Sequence, residues 1–208
     1  MSKTALLGRL NDKLDPAHAA LLVIDMQNDF CSDGGYLQKE RGYNVDFAKG
    51  VAANIQTAAT AARAAGMPVV WIRSIYDFKY LAAPHIVKRG QEGCCLEGTW
   101  GADFFMLKPQ RDEPIVDKHH YSAFMGTPLD GILRKHDVQT LIVTGVATNV
   151  CVDSTLRHGF FLGYYIVLLE DCVGSNSAAG HQGTLASVRN NIGTVASSTT
   201  WMERLSSR

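Results

Sequence analysis

The sequence predicts an α/β protein with three layers, α/β/α, around a mostly parallel, doubly wound sheet of about six strands. Two observations support this fold class. Short runs of consecutive apolar residues are typical of parallel strands covered on both faces, and helical stretches alternate with those runs along the chain. The 208 residues contain no proline- or serine-rich linker, so we expect one domain over residues 1–208.

The first half of the chain supplies two strands and one long helix. The run Ala19–Ile24 is apolar throughout and leads directly into Asp25. An alanine-rich helix is predicted over residues 47–65, because Gly66 occupies the usual position just after a helix. Residues 69–73 form the second predicted strand.

Residues 74–113 are polar and aromatic and show no strong periodicity. A segment of about forty residues without regular structure in a compact domain is usually a functional loop or lid. Its rings could wall a small pocket, and a subunit interface is an equally good interpretation. These side chains are Tyr76, Tyr80, His85, Trp100, Phe104 and Phe105.

The second half of the chain alternates strands with helices. A short strand at residues 114–116 leads towards Lys118, and Leu129–Lys135 is predicted to be helical. Apolar runs at residues 141–143 and 164–169 predict two further strands. The remaining predicted elements are a helix over residues 177–190, a strand over 192–195 and a helical turn over 200–205.

The stretch over residues 141–153 places an apolar run, a small-residue turn and a single cysteine in succession. Thr148 and Asn149 could cap a helix that begins near Val150, which would put Cys151 in its first turn. Unpaired backbone N–H groups at a helix N-terminus favour a thiolate. Taken alone, the cysteine could equally be a small buried hydrophobe.

Asp25, Lys118 and Cys151 all follow predicted strands, so we expect them at one crevice beyond the carboxyl ends of the sheet. There a thiolate could attack a carbonyl carbon while Asp25 shuttles the proton, and Lys118 would lower the pKa of the thiol. The turn at residues 145–147 could present backbone N–H groups to an oxyanion. Considered singly, Asp25 could be a strand-end cap and Lys118 a solvated charge.

Charge and cysteine content exclude several classes of function. Twenty basic and twenty acidic residues balance, so we expect no nucleic-acid or membrane partner and favour a small molecule or a second copy of the chain. No apolar run approaches the length of a membrane span, so a cytoplasmic protein is predicted. The five cysteines form no CxxC pair, which argues against a disulfide framework and a zinc ribbon. Adjacent Cys94 and Cys95 should point to opposite faces of an extended segment.

Three sequence blocks resemble the signature motifs of the isochorismatase-like cysteine hydrolases. They are IDMQNDF at residues 24–30, DKHHYSAF at residues 117–124 and TGVATNVCV at residues 144–152. Because all three occur in the family's order and at similar spacing, the resemblance covers nearly the whole chain.

This resemblance implies a catalytic triad of Asp25, Lys118 and Cys151. It also implies a cis peptide bond between Val146 and Ala147, beside the oxyanion donors near Cys151, and a homo-oligomer, dimeric or tetrameric. Family members that cleave a vinyl ether lack the cysteine, so Cys151 indicates carbon–nitrogen hydrolysis through a thioester.

The loop DFCSDGGY at residues 29–36 resembles that of members acting on ureido compounds, such as biuret hydrolases and ureidoacrylate amidohydrolases. Residues 126–133 and 148–162 resemble the latter. The resemblance therefore implies a small ureide or carbamoyl substrate and release of ammonia. An anionic substrate would need a cation such as Arg73, Lys79 or Arg89, whereas a neutral ureide would be held by hydrogen bonds alone, and the sequence does not choose between them. The predicted pocket residues are Gln27, Phe30, Arg73, Tyr76, Trp100, Tyr121, Phe124 and Asn149.

Nicotinamidases of this family carry a metal motif of an aspartate, a histidine two positions later and a further histidine. Here Asp77 is followed by Phe78 and Lys79, with His85 distant, so we expect no metal and no cofactor. His119 and His120 are adjacent and should diverge. The alternatives are a nicotinamidase-type or other small-amide hydrolase, a non-catalytic binding scaffold and a thiol redox protein.

Overall fold

A single parallel sheet of six strands organises the structure, which is a computed structural model describing residues 6–89 and 93–206. The strand order is β3-β2-β1-β4-β5-β6, and every neighbouring pair is parallel. The strands are β1 (Ala19–Ile24), β2 (Val69–Ser74), β3 (Ile115–Lys118), β4 (Thr140–Val146), β5 (Tyr165–Gly174) and β6 (Thr194–Ala196).

Helices connect the strands. They are α1 (Leu10–Lys13), α2 (Asn28–Cys31), α3 (Tyr36–Lys39), α4 (Phe47–Ala64), α5 (Ala83–Arg89), α6 (Leu129–Lys135), α7 (Asp153–Phe161), α8 (Ala178–Ser187) and α9 (Ser198–Ser206). Short 3₁₀ turns lie at Pro16–His18, Phe78–Tyr80 and Trp100–Ala102, and π-helical turns at Thr148–Val152 and Val188–Ile192. Over the described part of the chain, none of the helices combines the length and apolar character that a membrane span requires.

Alternation along the strands divides the core into two layers. Leu21 and Val23 of β1 pack on one face with α4 and with Trp201 of α9. Leu22 of β1 faces the other way, towards α6, α7 and α8. Since every residue of β1 is buried, helices cover the sheet on both faces. The predicted three-layer α/β/α fold is confirmed.

The chain changes direction across the sheet between β1 and β4. The order runs outward from β1 through β2 to β3, and outward from β4 through β5 to β6. Loops that leave the carboxyl ends of these two strands therefore turn away from each other and leave a crevice between them.

Several predicted boundaries were wrong in ways that matter for this crevice. Residues 74–113 are not structureless, because α5 and two 3₁₀ turns lie within them. Strand β3 extends to Lys118 instead of ending at residue 116. A π-helical turn separates β4 from α7, and Ala147, not Thr148 or Asn149, occupies its N-cap position.

Candidate active site

Asp25, Lys118 and Cys151 converge at the carboxyl edge of the sheet. Asp25 directly follows β1, Lys118 is the last residue of β3, and Cys151 lies in the π-helical turn after β4. The Lys118 Nζ atom lies 2.7 Å from Asp25 Oδ2. Asp25 and Lys118 are fully buried, and Cys151 is 6% exposed. The structure thus places a thiol, a carboxylate and an ammonium group in one buried cluster.

Local backbone geometry fixes the position of Asp25. Its φ angle is +53°, a left-handed conformation that aspartate tolerates better than most residues. Its N–H donates to the carbonyl of Ile72 on β2 at 3.0 Å. The Ser74 hydroxyl donates to Asp25 Oδ1, also at 3.0 Å. Both carboxylate oxygens of Asp25 therefore have defined partners, Ser74 and Lys118.

The two-residue alternation of β3 places the Lys118 side chain on the buried face of the strand. Val116 and Lys118 are the buried members of β3, whereas Ile115 and Asp117 are exposed. The Lys118 ammonium donates to Ser74 Oγ at 2.8 Å and to the His120 carbonyl at 3.1 Å. Burial acts to lower the pKa of Lys118, but the neighbouring groups, Asp25 first and then Cys151 and Tyr76, together hold this pKa well above its usual value. Lys118 is therefore a charged partner, not a solvated charge.

The pKa of the Cys151 thiol is raised above its usual value, whereas Lys118 was expected to lower it. Burial raises the pKa of Cys151 from 9.0 to about 12, although the Lys118 ammonium acts to lower it, as predicted. The neighbouring Asp25 carboxylate raises this pKa further through its charge and a hydrogen bond. The Tyr76 hydroxyl lies 3.9 Å from the Cys151 sulfur. The Asp25 carboxylate, a potential proton acceptor, is thus within hydrogen-bonding reach of the Cys151 thiol.

The turn ahead of Cys151 has a defined conformation. The peptide bond between Val146 and Ala147 is cis. The Ala147 carbonyl accepts the N–H groups of Val150 and Val152, at 3.0 and 3.3 Å. This hydrogen bonding ties the small-residue turn to the segment that carries the thiol.

The two residues expected to cap the helix serve another purpose. The Thr148 hydroxyl bonds to the His181 ring at 2.9 Å. The Asn149 side chain accepts a hydrogen bond from the Ser175 hydroxyl at 2.6 Å. Both contacts join the π-helical turn to the segment around α8.

A cavity of about 300 Å³ opens onto the cluster. Such a volume is at the lower end of the range for small-molecule sites. Three of the predicted pocket residues, Phe30, Tyr76 and Tyr121, line it. The full lining is Asp25, Phe30, Tyr36, Leu37, Arg41, Tyr43, Phe47, Tyr76, Lys88, Tyr121, Val146, Ala147, Val150, Cys151 and Asn176.

Gln27 was predicted to bind substrate, but it does not line this cavity and instead supports the wall behind it. Its side chain accepts the Ser74 N–H at 2.7 Å and donates to the carbonyls of Ser74 and Ala102, each at 2.9 Å. With all these contacts buried, Gln27 holds the residue that bonds to both Asp25 and Lys118. Asn149, engaged with Ser175, also lies outside the lining.

Arg73, Trp100 and Phe124 also lie outside the lining, contrary to prediction. Arg73 donates two hydrogen bonds to the Asp117 carboxylate, at 2.8 and 2.9 Å. Trp100 is 53% exposed. Phe124 packs against the His158 ring, in the core layer that includes residues of α6, α7 and α8. A position at a strand end, or an aromatic side chain, was therefore not enough to predict from the sequence which residues line the cavity.

Arg41, Tyr43 and Lys88 line the cavity but did not emerge from the sequence. Arg41 and Tyr43 lie in a polar loop, and Lys88 lies on α5, which was not predicted. The sequence signal that could have identified these residues is the position of Arg41, a cation between Tyr36 and Tyr43 in a glycine-containing loop.

The residues considered as metal ligands have other contacts. The Asp77 carboxylate accepts the Glu97 N–H at 3.0 Å, and the His85 ring packs against those of Tyr76 and Tyr121. His119 Nδ1 lies 2.7 Å from the Ile75 carbonyl. The side chain of Arg89 falls outside the described residues.

Asp29, Cys94 and Cys95 form the group of potential metal ligands that the described residues contain. The two sulfurs lie 3.9 Å apart, so the expected divergence of Cys94 and Cys95 was wrong, because Cys95 has a φ of +50° and is not extended. The Asp29 carboxylate is already used, since it accepts the N–H groups of Cys95 and Tyr36 at 2.6 and 3.1 Å. This cluster fixes the loop that carries Phe30.

A buried thiol, carboxylate and ammonium group at the edge of a parallel α/β sheet define the class of the cysteine hydrolases. Known proteins share this arrangement of elements. The chain belongs to the isochorismatase family, because the model of the isochorismatase domain matches residues 19–200.

Solved structures support this assignment. A cysteine hydrolase from Pseudomonas syringae pv. phaseolicola 1448A is 30% identical, with a TM-score of 0.85, and the match covers 100% of this chain and 99% of that one. N-carbamoylsarcosine amidase from Thermoplasma acidophilum is 26% identical, with a TM-score of 0.74 and 87% and 96% coverage. Nicotinamidase from Bacillus subtilis is 26% identical, with a TM-score of 0.74 and 86% and 98% coverage.

Proposed function

We propose that the protein is a cysteine-dependent amidohydrolase that cleaves a carbon–nitrogen bond of a small ureido or carbamoyl compound. The observation that carries this proposal is the buried contact of Cys151 with Asp25, which is itself paired with Lys118 at 2.7 Å. The similarity to N-carbamoylsarcosine amidase supports a carbamoyl substrate. Asp25, Lys118 and Cys151 are the proposed catalytic residues.

In the first half of the reaction, the Cys151 sulfur attacks the carbamoyl carbon and its proton passes to Asp25. Since the pKa of the Cys151 thiol is raised, we propose that this transfer accompanies the attack on the bound substrate. Asp25 then gives the proton to the leaving nitrogen, and ammonia departs. The enzyme is left with a thioester-type bond, a thiocarbamate when the substrate is a ureide.

In the second half, a water molecule attacks the same carbon while Asp25 accepts its proton. The carbon–sulfur bond breaks, the proton returns to the Cys151 sulfur, and the acid product leaves. Lys118 stays paired with the Asp25 carboxylate between the two transfers. Backbone N–H groups around Val146, Ala147 and Cys151 are the proposed donors to the oxyanion formed in each half.

An ammonia-release screen tests this proposal. The panel consists of biuret, triuret, ureidoacrylate, N-carbamoyl amino acids and nicotinamide. We expect turnover of at least one carbamoyl compound, and Cys151→Ala should reduce it by at least about 10³-fold, as loss of a nucleophile does. Cys172→Ala removes a different buried cysteine, on β5, and should retain activity. Turnover that survives Cys151→Ala would refute the mechanism.

A nicotinamidase-type activity is the second candidate. The observations in its favour are the similarity to a nicotinamidase and a cavity lined by aromatic rings, including Phe30, Tyr36 and Tyr121, which suit a flat substrate. Ammonia release from nicotinamide and from no carbamoyl compound would select it. Ligand binding with no turnover of any compound would instead indicate a scaffold.

A further inference from the structure

Two cations lie at the open side of the cavity. Arg41 and Lys88 both line it, and both are exposed. The reacting cluster, by contrast, is buried. The cavity is therefore polarised, with the nucleophile at its closed end and positive charge at its solvent end.

Among the residues that the structure describes, Arg41 and Lys88 have no carboxylate partner. In the described part of the chain, no carboxylate lies within ion-pair distance of Arg41 or Lys88, whereas Arg73 is paired with Asp117 and Lys79 with Glu97. Asp25 is the acidic residue of the lining, and its charge is compensated by Lys118. The lining thus carries excess positive charge.

Neighbouring residues place both cations at the cavity. Arg41 shares the cavity lining with Tyr43 and Tyr36, and the nearby Tyr43 hydroxyl, with a smaller contribution from Tyr36, raises the pKa of Arg41. Lys88 is one turn beyond His85 on α5. Because the His85 ring packs against Tyr76 and Tyr121, this face of α5 is directed at the cavity.

We infer that the substrate carries a carboxylate, bound by Arg41 and Lys88 while its carbamoyl group reaches Cys151. This inference rests on the proposed function and specifies its substrate class as small ureido acids or N-carbamoyl amino acids. A guanidinium binds a carboxylate through two parallel hydrogen bonds, and an ammonium group adds a second charge. A cavity of about 300 Å³ limits the spacer between the two groups to a few atoms.

A pair of substrates matched in size tests the inference. N-Carbamoylglycine carries the carboxylate, and N-propylurea is a neutral compound with the same carbamoyl group. The measured quantity is the ratio of kcat/KM for the two, in the wild type and in Arg41→Gln, Lys88→Gln and the double variant. Lys39→Gln, which removes an exposed cation outside the lining, is the control.

We expect the wild type to prefer N-carbamoylglycine. Each single substitution should lower the ratio about fivefold and the double substitution about twentyfold, mainly through KM for the acid. Added salt should lower the wild-type ratio, because exposed charges are screened. The ratio is internal to each variant, so partial loss of folded protein cancels. A wild-type ratio near unity, or an unchanged ratio in the double variant, would overturn the inference.

Binding to Cys151→Ala separates this inference from the proposed function. Calorimetry with the two compounds requires no turnover. If the wild type hydrolyses neither these two compounds nor any carbamoyl compound of the panel, the proposed activity on carbamoyl compounds fails. The inference then holds only if Cys151→Ala binds the acid more tightly than the neutral compound and loses this preference on Arg41→Gln.

Discussion

The state of the thiol is the residue-scale feature on which the account depends. Lys118 acts to lower the pKa of Cys151, and Asp25 acts to raise it. Burial, the largest influence, also raises this pKa and so favours the thiol. Nucleophilic cysteines elsewhere often have a depressed pKa. In the proposed mechanism, the thiol proton of Cys151 passes to Asp25 only as the sulfur attacks a bound substrate.

Alkylation of free protein tests this state. The pKa of Cys151 is raised from 9.0 to about 12, so the rate of iodoacetamide labelling should keep rising with pH beyond 9 without a plateau. A raised pKa also means that this group stabilises the fold below pH 9 and that its contribution is lost as pH rises towards 12. Labelling is read by mass spectrometry of the Cys151 peptide. A plateau below pH 8 would contradict the assignment.

The sequence predicted the three residues of the cluster, because each follows a strand of a parallel sheet. It did not predict which neighbouring residues form hydrogen bonds that hold these three in place. Gln27 and Ser74 look like ordinary loop and strand-end residues, and only the fold shows that Gln27 holds Ser74 and that Ser74 bonds to both Asp25 and Lys118. Contacts between residues 47 positions apart leave no local pattern.

At the scale of elements, buried strands were the easiest to predict and edge elements the hardest. β1 and β4 are buried on both faces, so their continuous apolar runs predict strands clearly. β3 is an edge strand whose buried members are Val116 and Lys118, so its alternation resembles a charged loop. α5 has seven residues and no predicted cap, and its Lys88 was missed with it.

Gly145 is required where β4 meets β1. Its φ is +113°, and a Cβ there would lie 2.0 Å from the Ile24 carbonyl oxygen. We predict that Gly145→Ala lowers the free energy of unfolding by about 3 kcal/mol, through backbone strain and overpacking, and displaces the turn before Cys151. Denaturant titration measures this effect.

The matched control is Gly131→Ala, in the middle of α6. A Cβ at Gly131 meets no atom within 4 Å, so this change should stabilise the helix by about 0.5–1 kcal/mol. Equal unfolding midpoints for Gly145→Ala and the wild type would show that the close approach of the strands is not needed.

At the scale of the whole molecule, strand order explains why distant residues meet. The site lies where the chain reverses direction between β1 and β4, and β3 contributes Lys118 from the sheet edge. Alternation of strands and helices was enough to predict this crevice. It was not enough to predict the cavity lining, because Arg41 and Lys88 come from connections whose paths depend on packing. The homo-oligomer implied by family resemblance stays a prediction.

The proposed mechanism requires a covalent bond between the Cys151 sulfur and the carbonyl carbon of the substrate. Rapid acid quenching during turnover of a carbamoyl compound, followed by peptide mass spectrometry, tests it most directly. We predict that the Cys151 peptide gains the mass of the group left after ammonia departs, and that the Cys172 peptide does not. Steady turnover without an adduct on Cys151, together with activity in Cys151→Ala, would contradict the claim.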